Sequence, residues 1–119
     1  MSEVRNVIDF LEAGMRAEGI RQKAIANNIA NVETPGYRRY DVEFRDMLAK
    51  AMEDGSDIDP DEIDMELYQP METMVKSNGN DVGLEYEIGE MVKNTLRHKA
   101  YVRLMNKKYA QMDLAMSVR

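Results

Sequence analysis

Cysteine is missing from this chain, which excludes a disulfide framework and any thiolate metal site. Histidine is nearly as scarce. His98 is the only one, and serine–histidine–acid catalysis needs a positioned partner that no motif here supplies. No glycine-rich phosphate loop is present, because Gly79 and Gly83 lack the preceding strand such a loop requires. No run of about 18 apolar residues occurs, so no segment reads as a membrane-spanning helix. The first residues also lack the basic-then-apolar pattern of a secretory signal. Together these absences lead to the expectation of a non-enzymatic protein with no cofactor, no metal and no small-molecule substrate.

Charge is unevenly placed. The net value is −6, yet residues 53–66 alone hold eight acids and no base. The acidity therefore belongs to one loop, which argues against a nucleic-acid partner. Asp57, Asp59 and Asp61 within it mimic the first ligands of an EF-hand loop, but Glu62 stands at the glycine position and Tyr68 at the bidentate glutamate position. The stretch reads as a solvated loop. Residues 93–119 show the reverse bias, with seven bases and one acid, and fit an acidic surface on a neighbouring subunit.

A chain of 119 residues amounts to one domain. Val4, Ile8, Leu11, Met15, Ile25, Ile29 and Val32 recur at helical spacing, interrupted by Glu18 and Gln22. A second stripe runs Leu84, Ile88, Met91, Thr95, His98, Val102, Met105, Tyr109, Met112 and Met116. The expected architecture is mainly α, a discontinuous single domain. Residues 1–32 and 83–119 pair as an antiparallel helical hairpin or coiled coil. Residues 33–82 form a middle with a short helix near 43–53, which Asp41 would cap, and an extended segment near 63–75. Setting Val32 against Leu84 brings the two polar breaks together, so Glu18, Gln22, Thr95 and His98 are expected to form a polar layer. Each helix offers more apolar face than one partner covers, leaving the remainder for a neighbour.

Between the first helix and the middle lies Asn27-Asn28-Ile29-Ala30-Asn31-Val32-Glu33-Thr34-Pro35-Gly36-Tyr37. Asn31 tolerates the left-handed conformation of a helix cap. Pro35 forbids the helix from continuing, and Pro35-Gly36 suits the centre of a type II turn. No reaction chemistry follows from these residues, but the string closely resembles the N-terminal signature of the flagellar axial proteins, the rod, hook and hook-associated subunits. Leu96-Arg97-His98-Lys99-Ala100 and Asn106-Lys107-Lys108-Tyr109 resemble the ending of the proximal rod class within that family, with His98 where an aromatic residue is common. The glutamine-arginine-alanine-tyrosine ending of the other rod and hook proteins is missing.

The resemblance implies a structural subunit of the proximal rod that assembles with itself and with other rod subunits. It also implies neighbours in the basal-body ring and export apparatus, export through the flagellar type III system without a cleaved signal, and a place on the periplasmic side. The alternatives are another axial subunit or a non-flagellar helical adaptor, and the adaptor would leave the Asn-to-Tyr signature unexplained.

Overall fold

Helix α1 spans Ser2–Ala30, uninterrupted by proline. The computed structural model describes residues 2–43 and 66–117, so the short helix expected near 43–53 and the acidic stretch lie almost wholly outside the described residues. The helix ends by tightening. The Asn31 N–H is shared between the carbonyls of Asn27 and Asn28, both at 3.1 Å, and the Val32 and Thr34 N–H groups bond to Ile29 and Asn31 at 3.2 and 3.0 Å. Apart from the Asn31–Asn27 bond, which is the last i→i+4 bond of the helix, these are the i→i+3 bonds of a 3₁₀ turn. Asn31 thus does not adopt the left-handed cap expected of it. Met71 alone among the described non-glycine residues has a positive φ.

After the corner, β1 (Asp41–Glu43) pairs antiparallel with β2 (Glu66–Tyr68), with Asp41 opposite Tyr68 and Glu43 opposite Glu66. Val42 is buried and anchors the pair. Asp41 lies in β1, where its Oδ1 accepts from the Val42 N–H at 2.8 Å; the helix it was expected to cap lies outside the described residues. The extended segment expected over 63–75 contracts, among the described residues, to the three residues of β2.

Helix α2, Leu84–Ser117, begins when the Gly83 carbonyl accepts from the Glu87 N–H at 2.9 Å. Glu85 and Glu87 in its first turn complement the helix dipole. It packs antiparallel on α1. Glu18 meets Asn94 and Arg97, and Gly14 lies beneath the ring of Tyr101, where a Cβ would come within 2.5 Å of ring carbons. Ala13 and Ala17, fully buried beside Gly14, allow this close approach.

The face that α2 turns inward is not its apolar stripe. Its buried residues are Glu87 and Asn94, seven apart, and Tyr101 continues the same row. Of the expected stripe, Leu11 and Ile25 are buried, Ile8, Met15, Ile29, Met91, Val102 and Met105 are half-buried, and Leu84, Ile88 and Tyr109 are exposed. Val92, Leu96 and Leu104 are exposed as well. The antiparallel arrangement matches expectation, but α2 is rotated so that a polar row meets α1.

The polar layer accordingly keeps Glu18 but takes other partners. Gln22, Thr95 and His98 are exposed, and the Thr95 hydroxyl donates to the Met91 carbonyl at 3.0 Å. Glu18, 1% exposed, accepts from Arg21 at 2.8 Å, Asn94 at 2.9 Å and Arg97 at 2.9 Å. Removing one partner of such a buried cluster strands the others. Glu18→Ala should therefore lower stability by about 3 kcal/mol, whereas His98→Ala should stay within about 0.5 kcal/mol of the parent, both measured by urea unfolding.

Candidate functional site: a buried polar clasp at the corner

The Asn-to-Tyr stretch folds into a corner held by buried amides and carboxylates. The turn forms as its residues require: the Tyr37 N–H bonds to the Thr34 carbonyl at 3.2 Å, and Gly36 takes φ 76° as residue i+2 of a type II turn. Gly36 then lies against a second glycine with positive φ. A Cβ on Gly79 would come within 3.3 Å of the Gly36 Cα, and the Gly36 N–H donates to the Asn78 carbonyl at 2.9 Å. A side chain on Gly79 would press the two turns apart, whereas one on Gly36 meets nothing within 4 Å and is opposed by its left-handed backbone alone.

Asn28 locks the return strand to α1. Fully buried, its Nδ2 donates to the Tyr40 carbonyl, while its Oδ1 accepts from the Tyr40 N–H and the Tyr37 hydroxyl, all at 2.9 Å. Every hydrogen-bonding direction of the amide oxygen and one of the nitrogen is thereby used. Asn31 does a related task nearer the surface. Its Nδ2 donates to the Asn27 carbonyl at 2.8 Å, and its Oδ1 accepts from the Thr34 hydroxyl at 3.1 Å. Asn27, Thr34, Pro35 and Gly36 themselves are exposed, and Ile29 and Tyr37 are half-buried.

From the far side of the chain, Asn80 and Asp81 close the corner. The Asn80 Nδ2 donates to the Asn31 and Thr34 carbonyls at 2.8 Å each, and its Oδ1 accepts from the Val82 N–H at 2.7 Å. Asp81 accepts from the Arg39 N–H at 2.6 Å and from the Arg38 Nε at 3.0 Å. The Arg39 guanidinium then bonds to the buried Glu87 at 2.8 Å and lies 5.0 Å from the centre of the Tyr86 ring. Burial disfavours its charge, but the bond to Glu87 and the charges of Glu87 and Asp41 outweigh this and raise its pKa above the ordinary arginine value. The second oxygen of Glu87 has no partner among the described residues.

The sequence reading missed Arg38, Arg39, Asn80, Asp81, Glu87, Asn94 and Arg97. A usable signal existed in the Arg38-Arg39 pair and the Asn80-Asp81 pair, which stand beside the two turns and carry opposite charge. Chemically the clasp can fix geometry and little else. No group of three or more His, Cys, Asp or Glu among the described residues is arranged to hold a metal ion. Nearby, an open groove of about 650 Å³ is lined by Ile20, Lys23, Ala24, Asn27, Tyr40 and Leu67, with no nucleophile–base pair among them.

Asn28→Ala should cost about 2–3 kcal/mol, since it leaves Tyr40 unpaired in a buried position. Gly36→Ala should cost about 1–2 kcal/mol through its left-handed backbone, and urea unfolding checks both. Tyr37 adds a pH dependence. Burial, then the neighbouring Tyr40, Glu87 and Asp81, raise its phenol pKa above the ordinary value against a weaker pull from Arg39. The folded state thus resists ionisation, and its stability is intact below the unfolded value of 10.0 and lost as pH rises through the folded one. Tyr37→Phe should lose about 1 kcal/mol at neutral pH and show a shallower alkaline decline than the parent in unfolding scans from neutral pH upward.

The same stretch is where comparison with known proteins finds a family. The family model described as "Flagella basal body rod protein" matches residues 8–38. The "Flagellar basal body rod protein FlgB" of Bacillus subtilis (strain 168) is 29% identical, with 98% of each chain covered. That of Proteus mirabilis (strain HI4320) is 24% identical, with 94% of each covered. The FlgB of Escherichia coli (strain K12) is 40% identical over 48 residues, covering 40% of this chain and 35% of its own length. With its corner inside the matched segment and its length shared end to end with FlgB proteins, the chain is similar to the flagellar basal-body rod proteins.

Proposed function

We propose that this structural rod subunit belongs to the proximal rod and assembles through the outward faces of α1 and α2. The observation that carries the reading is the rotation of α2. Leu84, Ile88, Val92 and Leu96 follow one another every four residues and are 46–62% exposed, while polar Asn94 is buried against Glu18 of α1 and Glu87 against Arg39. A row of this kind, outside a helix pair already joined, suits a neighbour in a helical stack. A heterologous contact that does not close into a ring generates an open filament. The clasp sets the angle at which the middle of the chain leaves the paired helices, and so the spacing between inner helices and outer segments.

The relatives' names support a place among basal-body rod subunits; contact with ring and export components at the proximal end, on the periplasmic side, is part of the same proposal. Passage would use the flagellar export system without a cleaved signal. Ile88→Glu and Leu96→Glu test the assembly face, because both residues are exposed and the substitutions should change monomer stability by no more than about 0.5 kcal/mol. Each should abolish rod completion and swimming when it replaces the chromosomal copy, with negative-stain microscopy of basal bodies as the readout. Complete rods and normal swimming in both strains would overturn the proposed face.

A further inference from the structure

Farther along α2 the outward face changes character. Lys93, Lys99, Arg103 and Lys107 are exposed there, with Leu96 and Leu104 exposed among them. Lys93 forms a 3.4 Å pair with Glu90, but Lys99, Arg103 and Lys107 have no acidic partner among the described residues. At 100° per residue Lys99, Arg103 and Lys107 centre roughly 130° around the helix from Glu90 and Arg97, whereas Lys93 lies about 60° from its partner Glu90. Glu90 and Arg97 border a polar groove of about 430 Å³ beside the β1–β2 pair. The strip therefore faces away from both α1 and the strand pair of its own chain.

A matching chemistry exists in the same sequence. Residues 53–66 carry eight acids and no base, with Ile58, Ile63 and Met65 interleaved. An acidic segment spaced with aliphatic residues complements a basic strip spaced with leucines, and opposite fields of this kind set orientation and encounter rate between partners. We propose that the outward basic strip of α2 binds the acidic stretch 53–66 of a second copy of this chain. This rests on the assembly reading above and names one contact within it. The strand ends between which that segment is attached, Glu43 and Glu66, belong to the pair beside Glu90 and Arg97, on a side of α2 turned away from Lys99, Arg103 and Lys107. The contact joins two different surfaces, so it propagates along a stack and does not close a symmetric dimer.

Mixed-isotope cross-linking tests it on the full chain. Equal amounts of ¹⁵N-labelled and unlabelled protein are treated with a zero-length carbodiimide, and the joined peptides are mapped by mass spectrometry. The expected links join a carboxylate of 53–66 to Lys99 or Lys107, about half of them carrying one heavy and one light peptide. They should fall several-fold at high salt. They should fall as far in Arg103→Glu, which keeps both lysines available for coupling and, being at an exposed position, keeps the parent circular dichroism spectrum. Links confined to peptides of one label would mean the segment folds onto its own helix and would overturn the proposal. An absence of links would overturn it as well, as would unchanged yields in Arg103→Glu. Co-sedimentation of the chain with phosphatidylglycerol vesicles, lost in Arg103→Glu and unaccompanied by mixed-label links, would assign the strip to an anionic membrane instead. Loss of rods in the Ile88→Glu and Leu96→Glu strains without mixed-label links would leave the assembly face standing and remove only this contact.

Discussion

The amide of Asn28 sits at the foot of α1 and binds Tyr40 from both sides, carbonyl and N–H, while holding the Tyr37 hydroxyl. That bond set fixes where the chain re-enters after the Pro35-Gly36 turn, and with it the position of Arg38 and Arg39. Only from that position can the two arginines reach Asp81 and Glu87, which in turn locate the start of α2. The direction of α2 along α1 then follows. A hydrogen bond in the corner is thereby coupled to the packing of helices tens of residues away, because each successive group is buried and has one satisfying geometry.

What joins the helices is correspondingly polar. Glu18, Asn28, Asn80, Asp81, Glu87 and Asn94 are all buried, against an apolar core of Leu11, Ala13, Ala17, Ala24, Ile25, Val42 and Val82. Desolvating carboxylates and amides offsets most of what their bonds return, so such a seam contributes little net stability. Its value lies in discrimination. A slip of α2 by one turn would leave Glu18 and Glu87 without their arginine and asparagine partners, at several kcal/mol each by the usual cost of an unpaired buried charge, on the order of 3–5. Apolar rows tolerate such slips far better. The seam selects one register, and the leucines and isoleucines that would otherwise have formed it are left facing outward.

The corner and the helix pair were legible in the sequence, because each rests on local rules. Proline before glycine gives the turn, apolar periodicity gives the two helices, and their similar lengths with a middle between them give the antiparallel pairing. The rotation of α2 was not legible. Periodicity favours putting Leu84, Ile88, Thr95 and His98 inside, whereas the buried row is chosen by partners 48 residues away for Glu87 and 76 for Asn94. No local pattern contains that information. Glu18 was correctly marked as an interruption of the α1 stripe, but its partners came from the adjacent faces of α2, Asn94 and Arg97, rather than from His98. The short β segment near 63–75 was legible from alternation and appears as β2, whereas its pairing with Asp41–Glu43 was not, since three residues are too few for a period to register.

Selectivity in place of strength also suits what a filament subunit must do. A monomer whose helices met through their apolar rows would be stable alone and would have nothing left to offer a neighbour. Here the polar seam holds the monomer in one shape, and the apolar row is left exposed, free under the proposed assembly for contact between subunits. At about 25 cal/mol per Å² of apolar surface, covering a row such as Leu84, Ile88, Val92 and Leu96 in a neighbour's groove contributes several kcal/mol. That is comparable to the whole stability of a small domain, on the order of 5–15 kcal/mol. Under the proposed assembly, the final folding of the helix pair and its incorporation into a stack would be one coupled equilibrium, in which the clasp supplies the geometry and the neighbour supplies much of the free energy.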